Sequence, residues 1–206
     1  MEDNKKFWSR TARIYERFTR GGKSEERAYR ELERRIASQL NRRMKVLELA
    51  AGPGVLSRKI ASSCCTLELT DFSAKMVAEA KKKKLPPNVT VCVADATNLK
   101  YDNETFDAVV IANALHIMPN PVKAVSEIKR VLKADGVLIA PTFTRSGKKK
   151  KPIERIMEIV GFRTFSRWNH RSYLQFLNEQ GLYILEESVI TGHNFPISFV
   201  VCKYKE

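Results

Sequence analysis

The sequence predicts a single α/β domain: a doubly wound sheet of about seven strands, mostly parallel, with an antiparallel C-terminal hairpin. Three observations predict it. Between residues 44 and 141, short apolar runs alternate with stretches of helical period. Strands covered on both faces read as continuous apolar runs, and strand–helix alternation implies a parallel sheet with right-handed crossovers. A glycine pair, Gly52 and Gly54, falls where the first strand turns into the first helix. Near the end of the chain, two further apolar runs are joined by the turn-like Thr191-Gly192-His193-Asn194, a connection too short for anything but a hairpin.

Taken in order, the strand-like runs of the core are Met44–Ala50, Thr66–Thr70, Val89–Ala94, Phe106–Ala112 and Gly136–Pro141. Helical periods fill the gaps at Val55–Ser62, Ser73–Lys82 and Pro121–Val131. A helix over His170–Gln180 then stops at Gly181, a residue suited to the left-handed capping position, and the hairpin strands Tyr183–Ile190 and Ile197–Tyr204 follow. Two segments lie outside this pattern. Lys5–Arg20 sets Phe7, Ile14 and Phe18 on one face and mostly Lys and Arg on the other, as a basic amphipathic helix does. Pro152–Val160, with proline in the first turn and Gly161 just beyond, reads as a helix interrupting the path from the fifth strand. Both are candidate lids.

Composition narrows the class. The 206 residues are 43% hydrophobic and 29% charged, too apolar for a disordered chain. The longest apolar stretch, Ala108 to Met118, is interrupted by Asn113 and His116 and is far shorter than the ~20 residues of a membrane span. The first residues lack the apolar core of a secretory signal. Cys64, Cys65, Cys92 and Cys202 form neither a CxxC pair nor a metal-spaced cluster, so no metal site is expected and the thiols are read as buried or incidental. These points suggest a cytoplasmic protein. The net charge of +14 divides as +7 over residues 1–45, +2 over 46–141 and +5 over 142–206. A nearly neutral core with basic flanks leaves two readings open, solvated helix faces or contact with an anionic partner.

The most informative segment is Val46-Leu47-Glu48-Leu49-Ala50-Ala51-Gly52-Pro53-Gly54. The glycines let the backbone turn tightly and a ligand approach the main chain. Glu48 puts a carboxylate inside a strand, which is costly without a partner. Asp71 ends the second strand, 17 residues after Gly54, where a carboxylate can accept both hydroxyls of an adenosine ribose. The third glycine of a dinucleotide fingerprint is missing, and no GxxxxGK[ST] phosphate loop is present.

Glycine loop, inner acid and ribose acid at this spacing resemble a class I S-adenosylmethionine-dependent methyltransferase, a Rossmann-like fold, in the small-molecule group that includes ubiquinone and menaquinone methyltransferases. The resemblance covers residues 44–141 by motif, and the terminal hairpin matches the family's reversed last strand. It implies that the Glu48–Gly54 segment, with Ala50 where many members carry glycine, passes under the methionine part of S-adenosylmethionine. Asp71, followed by Phe72 and, one helical turn on, Met76, matches the ribose-binding site. Asp95 matches the acid that receives the adenine amino group, with Ala96 supplying backbone. Asn113-Ala114-Leu115-His116 follows the fourth strand and lines the methyl-transfer pocket. His116 is the candidate base, with a packing role as the alternative, and Tyr15 lies in a segment resembling one that folds over the cofactor. His170 and His193 receive no role.

The resemblance therefore implies a domain with an N-terminal helical cap (1–43), a cofactor-binding core (44–141), a lid-like insertion (142–169) and a C-terminal helix and hairpin (170–206). Its expected activity is methyl transfer to a small-molecule acceptor by in-line displacement, which asks the protein mainly for orientation. Two alternatives stand beside it. The basic flanks could seat a phospholipid or quinone methyltransferase on an anionic lipid surface, or the chain could be a non-catalytic or RNA-associated relative. The Asn-Pro-Pro-Tyr signature is absent after the fourth strand, which argues against adenine-type DNA methylation; nucleic acid is the least expected partner.

Overall fold

The computed structural model describes residues 7, 22–145, 163–192 and 195–204. Tyr15, all of Lys5–Arg20 except Phe7, the Lys148–Lys151 run, Pro152–Val160 and His193 lie outside the described residues.

The helix α1 (Lys23–Ser38) precedes the sheet. It buries Ala28, Tyr29, Leu32 and Ile36, positions that share one face at the helical period, and Glu25 and Glu26 sit in its first turn, where the helix dipole favours acids. The core then alternates: β1 (Lys45–Leu49), α2 (Ser57–Ala61), β2 (Thr66–Asp71), α3 (Ala74–Lys81), β3 (Val89–Val93), β4 (Phe106–Ile111), a 3-10 turn (Leu115–Ile117), α4 (Pro121–Val131) and β5 (Leu132–Ile139). A two-residue β6 (Thr142–Phe143), α5 (His170–Glu179), β7 (Leu182–Ile190) and β8 (Ile197–Tyr204) complete it.

The strands form one mixed sheet with β1 at its middle. β1 pairs in parallel with β2 and β4, β2 with β3, and β4 with β5. β8 then runs antiparallel to β5 and β7, as the hairpin requires. β6, which the sequence reading did not anticipate, continues along the β5 side of β8 through Thr142↔Ser198 and Phe143↔Ile197. One buried cluster packs the sheet against α4 and α5 through residues such as Val125, Ile128, Tyr173 and Leu177. The other packs it against α1 and α2 through Tyr29, Leu32, Ile36 and Ile60. Sheet order and layers agree with the doubly wound, mostly parallel expectation.

The fifth strand departs in its start. α4 passes directly into β5 at Leu132, but the ladder with β4 jumps from Phe106↔Leu132 to Ala108↔Val137. Lys133, Ala134 and Asp135 bulge outward, and a Cβ on Gly136 would lie 2.9 Å from both Leu132 Cδ2 and the Lys133 carbonyl oxygen, so only glycine lets the chain re-enter the sheet. At the other end of the domain, Asn169 and Ser172 form a reciprocal cap at the start of α5, and Gly181 follows the helix with φ 76°.

The segment between β3 and β4 has little regular structure and is held by Arg130 on α4. Its guanidinium donates to the carbonyls of Tyr101 (2.7 Å) and Leu99 (3.1 Å), to Asn103 Oδ1 (3.0 Å) and to Glu127, while Leu99 N–H reaches Glu127 at 2.8 Å. Arg130→Ala should cost about 1 kcal/mol in chemical denaturation, the net value of such hydrogen bonds at a partly exposed site. Hydrogen exchange should quicken at residues 99–104 while the β1 and β4 amides keep their protection.

Candidate active site

Parallel strands all point their C-terminal ends to one edge of the sheet, and a crevice opens there beside the central strand. The cleft at this edge is lined by Ala50, Gly52, Asp71, Phe72, Met76, Ala94, Asp95, Ala96, Thr97, Ala112, Asn113, Ala114, Ile117, Met118 and Pro119, around roughly 850 Å³ of space open to solvent. Eight of the ten residues expected to hold a cofactor are among them: Ala50, Gly52, Asp71, Phe72, Met76, Asp95, Ala96 and Asn113.

The loop after β1 is shaped by backbone conformation. Ala50, Gly52 and Gly54 have φ of 51°, 58° and 73°, the left-handed region that disfavours a Cβ. Ala50 is therefore strained, and a glycine there would relieve the strain. Gly54 lies beneath the loop, where an added Cβ would come within 3.1 Å of Leu69 Cδ1 and 3.2 Å of Ser57 Oγ. Ala51 N–H is tied to the Thr70 carbonyl at 2.9 Å.

Asp71 joins this loop to the next strand. Its Oδ2 accepts Gly52 N–H at 2.9 Å and its Oδ1 accepts Ser73 N–H at 2.8 Å. A carboxylate oxygen has two lone pairs, so each oxygen keeps one for a ligand hydroxyl. Burial pushes the Asp71 carboxyl up to about 6 despite the two amides that favour its ionised form. Asp95 uses Oδ1 for the Thr97 N–H and hydroxyl, both at 2.8 Å, which leaves Oδ2 for a ligand. Asn113, after β4, takes φ 53° and anchors its N–H on the Pro141 carbonyl at 2.8 Å. Its side-chain Oδ1 is buried with no hydrogen-bond partner among the described residues.

Glu48 is placed under the cleft rather than in it. It is 2% exposed and accepts the Ser57 hydroxyl, so the inner acid finds its partner nine residues along the chain. Burial pushes it up to about 7, against the Ser57 hydrogen bond and the charge of Lys83. His116 is also buried outside the lining residues. Its Nδ1 meets Thr142 Oγ1 at 3.0 Å and its ring packs edge-on against Phe143. Its carbonyl receives the N–H groups of Phe165 and Ser166, both at 3.0 Å. Burial pushes the imidazole down to about 4, so it is neutral at physiological pH. Thr97 and the run Ile117-Met118-Pro119 line the cleft without having been singled out. Thr97 carries a readable signal, a hydroxyl two residues after an acid at a strand end, whereas the apolar run carries none.

Residues 47–140 match the model of the methyltransferase domain family. The match takes in just under half of the chain, and the fold is similar to that of the class I S-adenosylmethionine-dependent methyltransferases. The chain's sequence is similar to that of quinone methyltransferases. It is 36% identical over 100 residues to the demethylmenaquinone methyltransferase of Beutenbergia cavernae, covering 48% of this chain and 41% of that protein. It is 34% identical over 130 residues to the phosphatidylethanolamine N-methyltransferase of Cereibacter sphaeroides, covering 60% and 64%. The chain thus spans about two fifths of the length of the quinone methyltransferases it matches. Among solved structures, DhpI in complex with SAH superposes with a TM-score of 0.76 at 22% identity, over 98% of this chain and 96% of that one. The PH0226 protein from Pyrococcus horikoshii gives 0.70 at 23% identity, over 94% and 97%. Both likenesses are of fold.

The residues present fit the cofactor of this class. Two acids with free lone pairs stand at neighbouring strand ends, a glycine loop approaches from the next strand, and a buried acceptor on Asn113 lacks a donor among the described residues.

The elevated pKa of Glu48 makes a prediction about stability. An unfolded glutamate loses its proton near 4.5 while the folded one keeps it to about 7. Between these values the unfolded state binds fewer protons, so stability from this group falls as pH rises and is flat above the folded pKa. Glu48→Gln keeps an acceptor for Ser57 and never ionises. It should be more stable than the wild type at pH 8 by on the order of 2 kcal/mol, with the difference vanishing near pH 4. Denaturant midpoints at the two pH values check it.

Proposed function

We propose that this chain binds S-adenosylmethionine in the cleft and transfers its methyl group to a small-molecule acceptor by in-line displacement. The observation that carries the reading is the convergence of Gly52, Asp71, Asp95 and Asn113, from four adjacent strand ends, on one cleft. When bound, the cofactor supplies an electrophilic methyl on a sulfonium. The chain's own part is orientation: Asp71 accepts the ribose hydroxyls, Asp95 and the Ala96 backbone receive the adenine edge, and the glycine loop seats the remainder. Titratable groups among the described lining residues are Asp71 and Asp95 alone, both assigned to the cofactor. An acceptor whose attacking atom is nucleophilic without help from a protein base suits this arrangement. Ile117, Met118 and Pro119 give that end of the cleft an apolar surface. An electron-rich quinol-type acceptor fits both features and agrees with the demethylmenaquinone methyltransferase likeness. A role for Tyr15 at the methionine end belongs to this reading as an expectation.

A second acceptor class is favoured by a separate observation. The likeness to a phosphatidylethanolamine N-methyltransferase, together with the +14 charge, suits an amine on an anionic lipid surface reached through the basic flanks. No helix among the described residues is long and apolar enough to cross a membrane. A cytoplasmic setting is part of the proposal and is supported by Cys64, Cys65, Cys92 and Cys202 being free thiols.

Calorimetric titration with S-adenosylhomocysteine tests the cofactor reading. Binding should be micromolar, absent for NADH, and weakened at least about tenfold by Asp71→Asn. Hydroxyl donors favour the ionised carboxylate, so affinity should rise with pH through the Asp71 value of about 6. It should be roughly tenfold weaker at pH 5 than at pH 7.5 and lose that dependence in Asp71→Asn. Folded wild-type protein that binds no S-adenosylhomocysteine would end this reading.

A further inference from the structure

The parallel strands share a second edge, at their N-terminal ends, on the side of the sheet away from the cleft. Between β1 and β3 its loops are tied into one surface. Cys65 N–H is held on the Met44 carbonyl and Leu67 N–H on the Asn88 carbonyl, both at 2.9 Å. The Asn88 amide donates to the carbonyls of Ala61 at 2.9 Å and Cys65 at 3.1 Å, and the Arg58 guanidinium to that of Lys84. The segments that meet here, residues 41–47, 58–66 and 81–90, contain nine Lys or Arg and no Asp or Glu. Arg42, Arg43, Arg58, Lys59, Lys81, Lys82 and Lys84 are exposed. Lys82 pairs with Glu79 at 2.7 Å, and the other six pair with no carboxylate among the described residues. The near neutrality of residues 46–141 therefore conceals a separation. The acids of this edge, Asp102, Glu104, Asp107 and Asp135, stand on its β4 and β5 side.

Helix dipoles account for part of this strip. A cation is favourable at a helix C-terminus, which suits Arg58 and Lys59 at the end of α2 and Lys81 at the end of α3. Arg42, Arg43 and Lys84 lie in turns and loops, where no dipole offsets their mutual repulsion, and an anionic partner would relieve it. What the strip lacks says which partner. Its segments contain no aromatic residue, so unpaired bases find no platform to stack on. The exposed large apolar side chains among the described residues, Val93, Val122, Phe165, Tyr183, Leu185 and Val189, all lie elsewhere. Nothing in the strip is therefore suited to enter a bilayer, and a bilayer at this edge would hold the cleft away from lipid. Attraction through charge alone is strongest toward a dense, regular polyanion, and a nucleic-acid duplex carries one phosphate charge per roughly 1.7 Å. We propose that the N-terminal edge of β1–β3, centred on Arg42, Arg43, Arg58, Lys59 and Lys84, docks the phosphate backbone of a nucleic-acid duplex without regard to sequence. The duplex is a docking partner and not the methyl acceptor, because the cleft opens at the opposite edge. The proposal is independent of the cofactor reading.

The test titrates the full chain into a fluorescently labelled DNA duplex of about 20 base pairs, followed by anisotropy between about 50 and about 200 mM salt. Two variants each lose three positive charges. One carries Arg43→Gln, Lys59→Gln and Lys84→Gln on the strip; the other carries Lys100→Gln, Lys123→Gln and Arg171→Gln at exposed positions elsewhere. Wild-type affinity should fall steeply with salt. The strip variant should bind about tenfold or more weaker at the lower salt, with a log–log salt slope shallower by about 2 to 3. The other variant should stay within about threefold of wild type with its slope nearly kept. Thermal unfolding midpoints close to wild type report that both variants are folded. Equal loss in the two variants overturns the proposal, because net charge alone then explains the binding. It is also overturned by wild-type protein that binds no duplex at the lower salt, that prefers a single strand of the same length, or that binds phosphatidylserine vesicles but not the duplex.

Discussion

The Asp71 carboxylate ties the turn after the central strand to the end of its neighbour: one oxygen holds Gly52 N–H, the other Ser73 N–H. The loop it fixes carries strain at Ala50, which occupies the left-handed backbone that Gly52 and Gly54 adopt freely. Charge-assisted hydrogen bonds from backbone amides are among the stronger ones available, and here they oppose both that strain and the burial of the acid. The result is a preformed cleft. Its floor is main chain, its acids are already oriented, and a ligand has little ordering left to induce.

The site is built from polar groups placed where each is costly without its partner. Glu48 is matched by Ser57, whereas Asp95 gives one oxygen to Thr97 and keeps the other for a ligand. Asp71 is half matched, by amides that leave a lone pair on each oxygen. Asn113 keeps one atom unmatched among the described residues. The gradient from satisfied groups beneath the loop to unsatisfied ones facing the cleft separates groups that support the fold from groups that await a ligand. Burial also sets their protonation. Glu48 and Asp71 both retain protons above the ordinary carboxylate range, so ionising them as pH rises toward neutral lowers the stability of the fold, and a ligand donating to Asp71 offsets part of that effect.

Much of this was legible in the sequence. The core strands announce themselves because parallel strands covered on both faces need uninterrupted apolar runs, and Gly52, Gly54 and Asp71 because a tight turn and a strand-end acid leave fixed spacings. What was not legible depends on residues far apart in the chain. Tyr29 and Asn113, joined by a hydrogen bond between their side chains, are separated by 84 positions. His116 reads as a candidate base from its place after β4, yet Thr142 and Phe143, from a two-residue strand with no periodicity of its own, receive its ring outside the lining residues. The Lys133–Asp135 bulge hides a strand start because its exposed polar residues imitate a loop. The acceptor end of the cleft is apolar and generic, so neither sequence nor likeness to relatives of greater length fixes what it receives.

A crystal structure of the chain with S-adenosylhomocysteine tests the central claim most directly. The account predicts the ribose hydroxyls on Asp71, the adenine beside Asp95 and Ala96, and the amino-acid end between the Ala50–Gly52 turn and Asn113. A ligand lying in the reverse direction, with its adenine toward β4, or one bound away from these strand ends, would contradict it.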